Sequence, residues 1–177
     1  MTLNPQVLDV LNKQLEYEAY ASSFYLALAY WCDDQALEGC KAFFLRQSDE
    51  ERMHMLKIYE YISECNATPI TPAVPQPPLE HSGIRQVFND VLSQEKTVTD
   101  AIYKIVDVCY KVSDYATLKF MEWYIEEQRE EETTIISIID RIKLIGEGGQ
   151  SLYYIDKEVD RFNQLALQGN NGSNTEG

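Results

Sequence analysis

Residues 40–61 read CKAFFLRQSDEERMHMLKIYEY, and this stretch decides the fold of the chain. Read at alternating steps of three and four, it places on one helical face Cys40, Phe44, Gln47, Glu51, His54, Ile58 and Tyr61. Such a heptad face turns towards the core of a helical bundle. The stretch therefore predicts a long helix whose buried face carries a glutamate and a histidine at its middle.

Three further stretches repeat this pattern, each with one carboxylate on a face that is otherwise mostly apolar. The three faces are Leu8, Leu11, Leu15, Glu18, Ser22, Tyr25, Ala29; then Phe88, Val91, Glu95, Val98, Ile102, Ile105, Cys109; then Met121, Tyr124, Gln128, Glu131, Ile135, Ile138, Ile142, Ile145. A charged carboxylate in a protein core is costly unless something compensates it. Four such carboxylates, with one histidine among them, call for a bound metal.

Turn-forming residues predict five helices in this order. The predicted helices cover about residues 4–32, 35–65, 84–111, 114–145 and 151–167. Asn4 and Pro5 start the first helix, Asp33-Asp34 break the chain after it, and Asp114 caps the fourth. Five of the six prolines fall in residues 66–83, which predicts an extended, non-helical connection there.

The connection at residues 66–83 is long enough to cross the bundle. At about 3.1 Å per residue it reaches roughly 55 Å, which exceeds a helix of about 28 residues at about 1.5 Å per residue. It is either a crossover within one bundle or a linker between two hairpins, and neither hairpin could bury its face alone. We predict an all-α four-helix bundle with one long crossover loop and a short fifth C-terminal helix. A single domain is expected over residues 1–167, with a disordered polar tail at residues 168–177.

The four carboxylates are predicted to meet at one level of this bundle. Glu18 and Glu51 lie 16 and 17 residues from the centre of the first turn. Glu95 and Glu131 each lie 18 residues from the centre of the second turn. His54 follows Glu51 by one helical turn, and Glu-x-x-His with facing glutamates builds di-iron and di-manganese sites in helical bundles. The imidazole favours Fe(II) over magnesium or calcium.

Composition narrows the class of protein and its partners. The net charge of −14 disfavours nucleic acid and anionic membranes and favours cations. Cys40 and Cys109 lie on core faces and are expected to be buried thiols, and the four cysteines form no Cys-x-x-Cys pair. No signal sequence is recognised ahead of the first helix, and no apolar run approaches the length of a membrane span. We expect a cytoplasmic protein.

The chain resembles the bacterial-type non-haem ferritins from Asn4 to about Arg161. The matching stretches are LNKQLEYEAYASSFYLALAYWC at 11–32, RQSDEERMHM at 46–55, WYIEEQREEE at 123–132, SIIDRI at 137–142 and GEGGQSLYYIDKE at 146–158. The resemblance implies a ferritin-like fold with a ferroxidase centre inside each chain. One iron would be held by Glu18, Glu51 and His54. The other would be held by Glu51, Glu95 and Glu131, with Glu51 as the bridge.

The resemblance also implies roles for residues around this centre. Tyr25, one heptad after Glu18, matches the family's tyrosine beside the irons, and Gln128 matches a glutamine near the second iron. A third iron position is expected, and its ligands correspond to Glu50, Glu127, Glu130 and Glu131.

Two positions distinguish the chain from neighbouring families. A symmetric di-iron bundle carries a second Glu-x-x-His on helix four, but position 134 is Thr134, so the second iron would have only carboxylate ligands. Haem-binding bacterioferritins have Met after the bridging glutamate. This chain has Arg52 there, and Met53 is one place off, so no haem is expected.

The implied function is oxidation of Fe(II) by dioxygen, followed by storage of a ferric oxo-hydroxide mineral inside a cage of 24 subunits. Two other classes stay open. A di-iron peroxidase of rubrerythrin type would usually carry a pair of Cys-x-x-Cys motifs, and the sequence has none. A structural bundle without metal would use His54 as a core histidine, Tyr25 as core packing and the acids at residues 126–132 as a solvated face. Trp31 and Trp123 are interpreted as packing residues.

Overall fold

Five α-helices make up the computed structural model, which describes residues 2–146 and 148–172 of the 177-residue chain. The helices are α1 (Pro5–Asp34), α2 (Glu38–Glu64), α3 (Ile84–Val112), α4 (Tyr115–Ile145) and α5 (Ser151–Gly172). Within the described ranges there is no strand. The first four helices form a bundle, and α5 packs against α2 and α4. The predicted all-α class is confirmed.

The predicted N-terminal caps of α1 and α4 are both present. The side chain of Asn4 accepts a hydrogen bond from the Gln6 amide at 2.9 Å, and Asp114 accepts one from the Thr117 amide at 3.0 Å. These bonds satisfy amide groups that the first turn of a helix leaves free. The cap residues therefore begin the helices where the sequence predicted.

The break predicted at Asp33-Asp34 is wrong, because α1 continues through Asp34. Just beyond the helix, Ala36 adopts a left-handed conformation with φ 57°. The Leu37 amide then donates to the Cys32 carbonyl at 2.9 Å, which closes the helix with a Schellman motif. As a consequence, α2 begins at Glu38, three residues later than expected.

The extended connection at residues 66–83 runs along the length of α1. Near its start, the Ile70 amide donates to Asn12 Oδ1 at 2.9 Å. Near its end, the His81 ring lies 5.4 Å from the ring of Trp31, at the other end of α1. Because α1 also packs against α3, the two helical hairpins share one core, and the connection is a crossover rather than a linker.

The core consists of two apolar clusters with a polar layer between them. One cluster contains Phe24, Phe43, Phe44 and Phe88. The other contains Leu11, Leu15, Ile58, Ile102 and Met121. The buried glutamates Glu18, Glu51, Glu95 and Glu131 lie in the chain between the segments that build these two clusters. Cys40 and Cys109 are buried thiols, as predicted, and Cys32 and Cys65 are buried as well.

The fifth helix is longer than predicted, since it continues to Gly172 instead of ending near residue 167. Residues 173–177 of the predicted tail lie outside the described residues. No helix in the described part of the chain has the length and apolar character needed to cross a membrane.

Gly39 allows α5 to approach the start of α2 closely. The first turn of α2 has no cap from its own N-terminal residue, and instead the Cys40 amide donates to Asp156 Oδ1 of α5 at 2.8 Å. A Cβ atom at Gly39 would lie 2.4 Å from the Asp156 carbonyl oxygen and 2.8 Å from the Asp160 Cβ. Both atoms belong to the packed helix, so neither can move away cheaply.

We expect Gly39→Ala to lower the free energy of unfolding by about 1–3 kcal/mol, because overpacking displaces α5 from α2. The matched control is Gly169→Ala on α5, where a Cβ meets no described atom within 4 Å beyond its own stretch of helix and helix propensity adds up to about 1 kcal/mol. Thermal unfolding followed by circular dichroism measures both variants. Equal stability of Gly39→Ala and the unsubstituted protein would contradict this account of the contact.

Candidate metal centre

Each of the four bundle helices contributes one buried carboxylate to a common site. Two groups of side chains have ligand atoms that all lie within 4.8 Å of one another: Glu18, Glu51 and His54 form one, and Glu51, Glu95 and Glu131 form the other. Glu51 belongs to both groups. The level predicted by counting residues from the turns is therefore the level at which these side chains meet.

His54 lies between the carboxylates of three helices. Its Nδ1 atom is 3.2 Å from Glu51 Oε2 and 3.8 Å from Glu18 Oε2. Its Nε2 atom is 3.9 Å from Glu131 Oε1 on α4. The His54 ring also lies 5.3 Å from the ring of Trp123. The His54 backbone carbonyl accepts a hydrogen bond from the Tyr124 hydroxyl at 2.7 Å. These contacts hold both the ring and the backbone of His54 in place.

A pair of serines sets the separation of α1 and α2 at this level. Ser22 Oγ donates to the Ser48 carbonyl, and Ser48 Oγ donates to the Ser22 carbonyl, each at 2.8 Å. Ser22 is one turn from Glu18, and Ser48 is one turn from Glu51. These reciprocal bonds require small side chains and hold the two helices close where their carboxylates face each other.

Glu95 differs from the other three carboxylates because hydrogen-bond donors occupy both of its oxygens. The Tyr25 hydroxyl donates to Oε1, and Gln128 Nε2 donates to Oε2 at 2.7 Å. Gln128 also donates to the Glu95 backbone carbonyl at 3.1 Å. Tyr25 and Gln128, both singled out in the sequence, therefore contact the site through Glu95.

The remaining carboxylates have oxygens that no protein group satisfies. Among the described residues, the buried atoms Glu18 Oε2, Glu51 Oε1 and Glu131 Oε2 have no hydrogen-bond partner. Buried polar atoms are nearly always paired, because an unpaired one loses its hydration without replacement. These free oxygens belong to residues of α1, α2 and α4 whose carboxylates face one another inside the bundle. Such an arrangement fits a site for divalent cations. Carboxylate and imidazole together suit Fe(II) and related metals.

Burial and mutual repulsion change the acidity of these groups. Burial raises the pKa of Glu51 well above its usual range, and the charges of Glu131, Glu18 and Glu95 raise it further. The pKa of Glu131 is raised well above its usual range for the same reasons, burial first. Burial also raises the pKa of Glu95, against the opposing effect of its bonds from Tyr25 and Gln128. These groups therefore keep their protons to a higher pH than exposed carboxyl groups do, and a bound cation would favour their ionised forms.

The residues predicted for a third iron line one cavity of about 450 Å³ between α2, α4 and α5. Glu50, Glu127, Glu130 and Glu131 all contribute to its wall. Glu50 is 28% exposed and Glu130 is 71% exposed, so the cavity opens towards solvent. On this side of the site, one group of described residues has ligand atoms that all lie within 4.8 Å of one another. It consists of His54, Glu127 and Glu131. Glu50 and Glu130 lie on the cavity wall outside that group.

Gln14 was missed in the sequence because it lies beside the heptad face rather than on it. It is buried, and its Nε2 donates to Glu18 Oε1 at 2.7 Å. The available signal was the spacing of Gln14 and Glu18, since residues four apart on a helix are neighbours.

Among the acids at residues 126–132, Glu126 and Glu130 are exposed, Glu127 is half-buried and Glu131 is buried. The interpretation of the whole run as a solvated face therefore fails at Glu127 and Glu131.

Fold and site together define a four-helix bundle protein whose buried carboxylates and histidine could hold a metal ion. The sequence model of a protein family, the Ferritin-like domain, matches residues 8–145 of this chain. The chain belongs to the ferritin family.

Named relatives agree with this assignment. A bacterial non-heme ferritin of Staphylococcus saprophyticus is 41% identical over 157 residues, which cover 89% of this chain and 94% of the relative. A bacterial non-heme ferritin of Escherichia coli O157:H7 is 34% identical over 89% of this chain and 95% of the relative. The structure of an open pore ferritin from the archaeon Archaeoglobus fulgidus superimposes with a TM-score of 0.86 at 32% identity, over 90% of this chain and 98% of that one.

The metal-free protein is expected to become more stable as the pH falls from neutral towards the usual pKa of glutamate, about 4.3. Glu51 and Glu131 have raised pKa values in the fold, so their contribution to stability is present while they are protonated and is lost as the pH rises through those values. The measurement is thermal unfolding against pH in the presence of a chelator. The double variant Glu51→Gln, Glu131→Gln should show a shallower dependence, and equal slopes would contradict the assignment.

Proposed function

We propose that this protein takes up Fe(II), oxidises it with dioxygen at the site described above and stores the ferric product as a mineral. The observation that carries the proposal is a set of buried carboxylate oxygens on Glu18, Glu51 and Glu131, which have no partner within the described part of the chain and lie where four helices meet. Fe(II) is the substrate and the cargo of the site. Each ferrous ion gives one electron to dioxygen, and the ferric ions then hydrolyse with release of protons.

The two groups of ligands divide the work between two ions. Glu18 and His54 hold the first, Glu95 and Glu131 hold the second, and Glu51 bridges them. Two cations a few ångströms apart repel, and the bridging carboxylate lowers that repulsion. The second ion has carboxylate ligands only, since Thr134 replaces a second histidine, and weaker binding suits iron that passes through.

Residues around the ligands keep them oriented. Tyr25 and Gln128 hold Glu95 through its two oxygens, and Gln14 holds Glu18. Burial raises the pKa of Tyr25 well above its usual range, so the phenol keeps its proton and stays a hydrogen-bond donor to Glu95. The third cation is proposed to bind in the cavity lined by Glu50, Glu127, Glu130 and Glu131, on the path of iron away from the centre.

A container is needed for the mineral, and we propose that it is the 24-subunit cage implied by the ferritin resemblance. Exposed aromatic side chains on the outside of the chain support self-association, because such groups are enriched at interfaces. They include Tyr30, Tyr103, Tyr110, Tyr115, Tyr153 and Tyr154.

We propose a cytoplasmic location, since all four cysteines are buried free thiols. No haem takes part in this proposal.

Replacing Glu51 or His54 by Ala should abolish rapid Fe(II) oxidation and reduce anaerobic Fe(II) binding, while the fold stays intact. At a pH high enough to ionise Glu51, Glu51→Ala is expected to raise thermal stability without metal, because it removes a buried carboxylate that its neighbours repel. The measurements are stopped-flow oxidation and anaerobic Fe(II) titration. The matched control is Glu60→Ala, which removes an exposed acid of the same helix. Rapid oxidation in Glu51→Ala would refute its role as the bridge, and the absence of stoichiometric binding to the unsubstituted protein would favour the structural bundle.

The purified protein should elute from size-exclusion chromatography as one large particle. With 24 chains of 20.4 kDa, the expected mass is roughly half a megadalton. Light scattering on the same column gives the mass independently of shape. Elution near the mass of one chain would argue against the cage.

A further inference from the structure

One positively charged side chain lies on the wall of the acidic cavity between α2, α4 and α5. Among the described residues, Arg46 is the only lysine or arginine that lines this cavity. Its side chain is 15% exposed, so much of its charge is removed from water. A largely buried guanidinium next to a proposed cation site is unexpected, because its positive charge repels any cation that enters.

The two ends of the Arg46 guanidinium contact different parts of the molecule. Nη1 lies 2.5 Å from Glu50 Oε2 on the next turn of α2. Nε donates to Asn163 Oδ1 of α5 at 2.8 Å, and Asn163 is buried. The guanidinium also lies 5.4 Å from the ring of Phe43. Arginine is suited to this role, because its planar fork serves two acceptors at once.

Arg46 and a cation in the cavity compete for the same carboxylate. Glu50 lines the cavity with Glu127 and Glu131, but its Oε2 is engaged by Arg46. A metal ion that binds Glu50 must displace this bond or share the carboxylate with it. The contact of Arg46 with Asn163 is not affected by that exchange, since it uses a different nitrogen.

We propose that Arg46 is a tethered counter-ion that holds Glu50 until a cation arrives and weakens the third cation site relative to the two inner ones. A cation in the cavity then takes Glu50 from Arg46, while Asn163 keeps the arginine anchored to α5. The weak site lets iron leave the cavity after it has been bound. This inference rests on the third cation site of the proposed function and adds a residue that tunes it.

Calorimetric titration of the intact assembled protein with Zn(II), which undergoes no oxidation, tests the proposal. The unsubstituted protein should bind two ions tightly and one more weakly in each chain. Arg46→Gln should tighten the weak site about five- to tenfold, the effect expected for removal of one competing ion pair. Glu50→Gln should abolish or greatly weaken that site. The matched control Arg52→Gln removes an exposed arginine of the same helix and should change nothing.

A double-variant cycle separates competition for Glu50 from a general charge effect. If Arg46 acts through Glu50, Arg46→Gln combined with Glu50→Gln should bind Zn(II) like Glu50→Gln alone. Tightening of the same size in both backgrounds would overturn the inference, and so would a weak site that Arg46→Gln leaves unchanged. If the unsubstituted protein binds only two ions, the third site of the proposed function fails and the inference fails with it.

A crystal of the unsubstituted protein soaked in Zn(II) gives a second test, and this test needs no substituted protein. The expected result is an ion on Glu50, with Arg46 still bonded to Asn163 and no longer within hydrogen-bond distance of Glu50. An ion bound to Glu127 and Glu131 beside an intact bond between Arg46 and Glu50 would overturn the inference. This outcome would leave the proposed third site itself in place.

Discussion

Desolvation of like charges is the constraint on which this structure depends. Four carboxylates and one imidazole are buried at one level of a helical bundle, and a bare carboxylate there costs several kcal/mol. The protein compensates only part of that cost. Tyr25 and Gln128 satisfy Glu95, while oxygens of Glu18, Glu51 and Glu131 have no partner among the residues that the structure describes. This asymmetry leaves a gap that a divalent cation fits. The uncompensated carboxylates therefore lower the stability of the bundle when no cation is bound.

The heptad faces were sufficient to predict both the fold class and the level of the site. Periodicity identified the buried side of each helix, and the distances of Glu18, Glu51, Glu95 and Glu131 from the turns placed them at one height. Such local counting works because helix geometry is regular, with a fixed rise per residue. The same faces gave the four carboxylates as candidate metal ligands, whereas their division between two irons and the third iron position came from the family resemblance. All of these ligand roles stay predictions.

Contacts made by α5 could not be predicted, because they depend on how the fifth helix docks. Asp156 caps α2 from a distance of 116 residues in sequence, and Asn163 reaches Arg46 from 117 residues away. Neither side chain has a local signature that points to its partner. The end of α1 was missed for a different reason, since Ala36 adopts a left-handed conformation that is more typical of glycine or asparagine.

The division of the apolar core by a polar layer has a consequence for how the molecule loosens. The phenylalanine-rich cluster and the leucine–isoleucine cluster each have their own packing, and the layer of buried carboxylates lies between them. We expect the two halves to open separately when no cation is bound in this layer. Ions that bind side chains from all four helices would link the two halves across this layer. Metal binding would then make the two halves unfold together, as one cooperative unit.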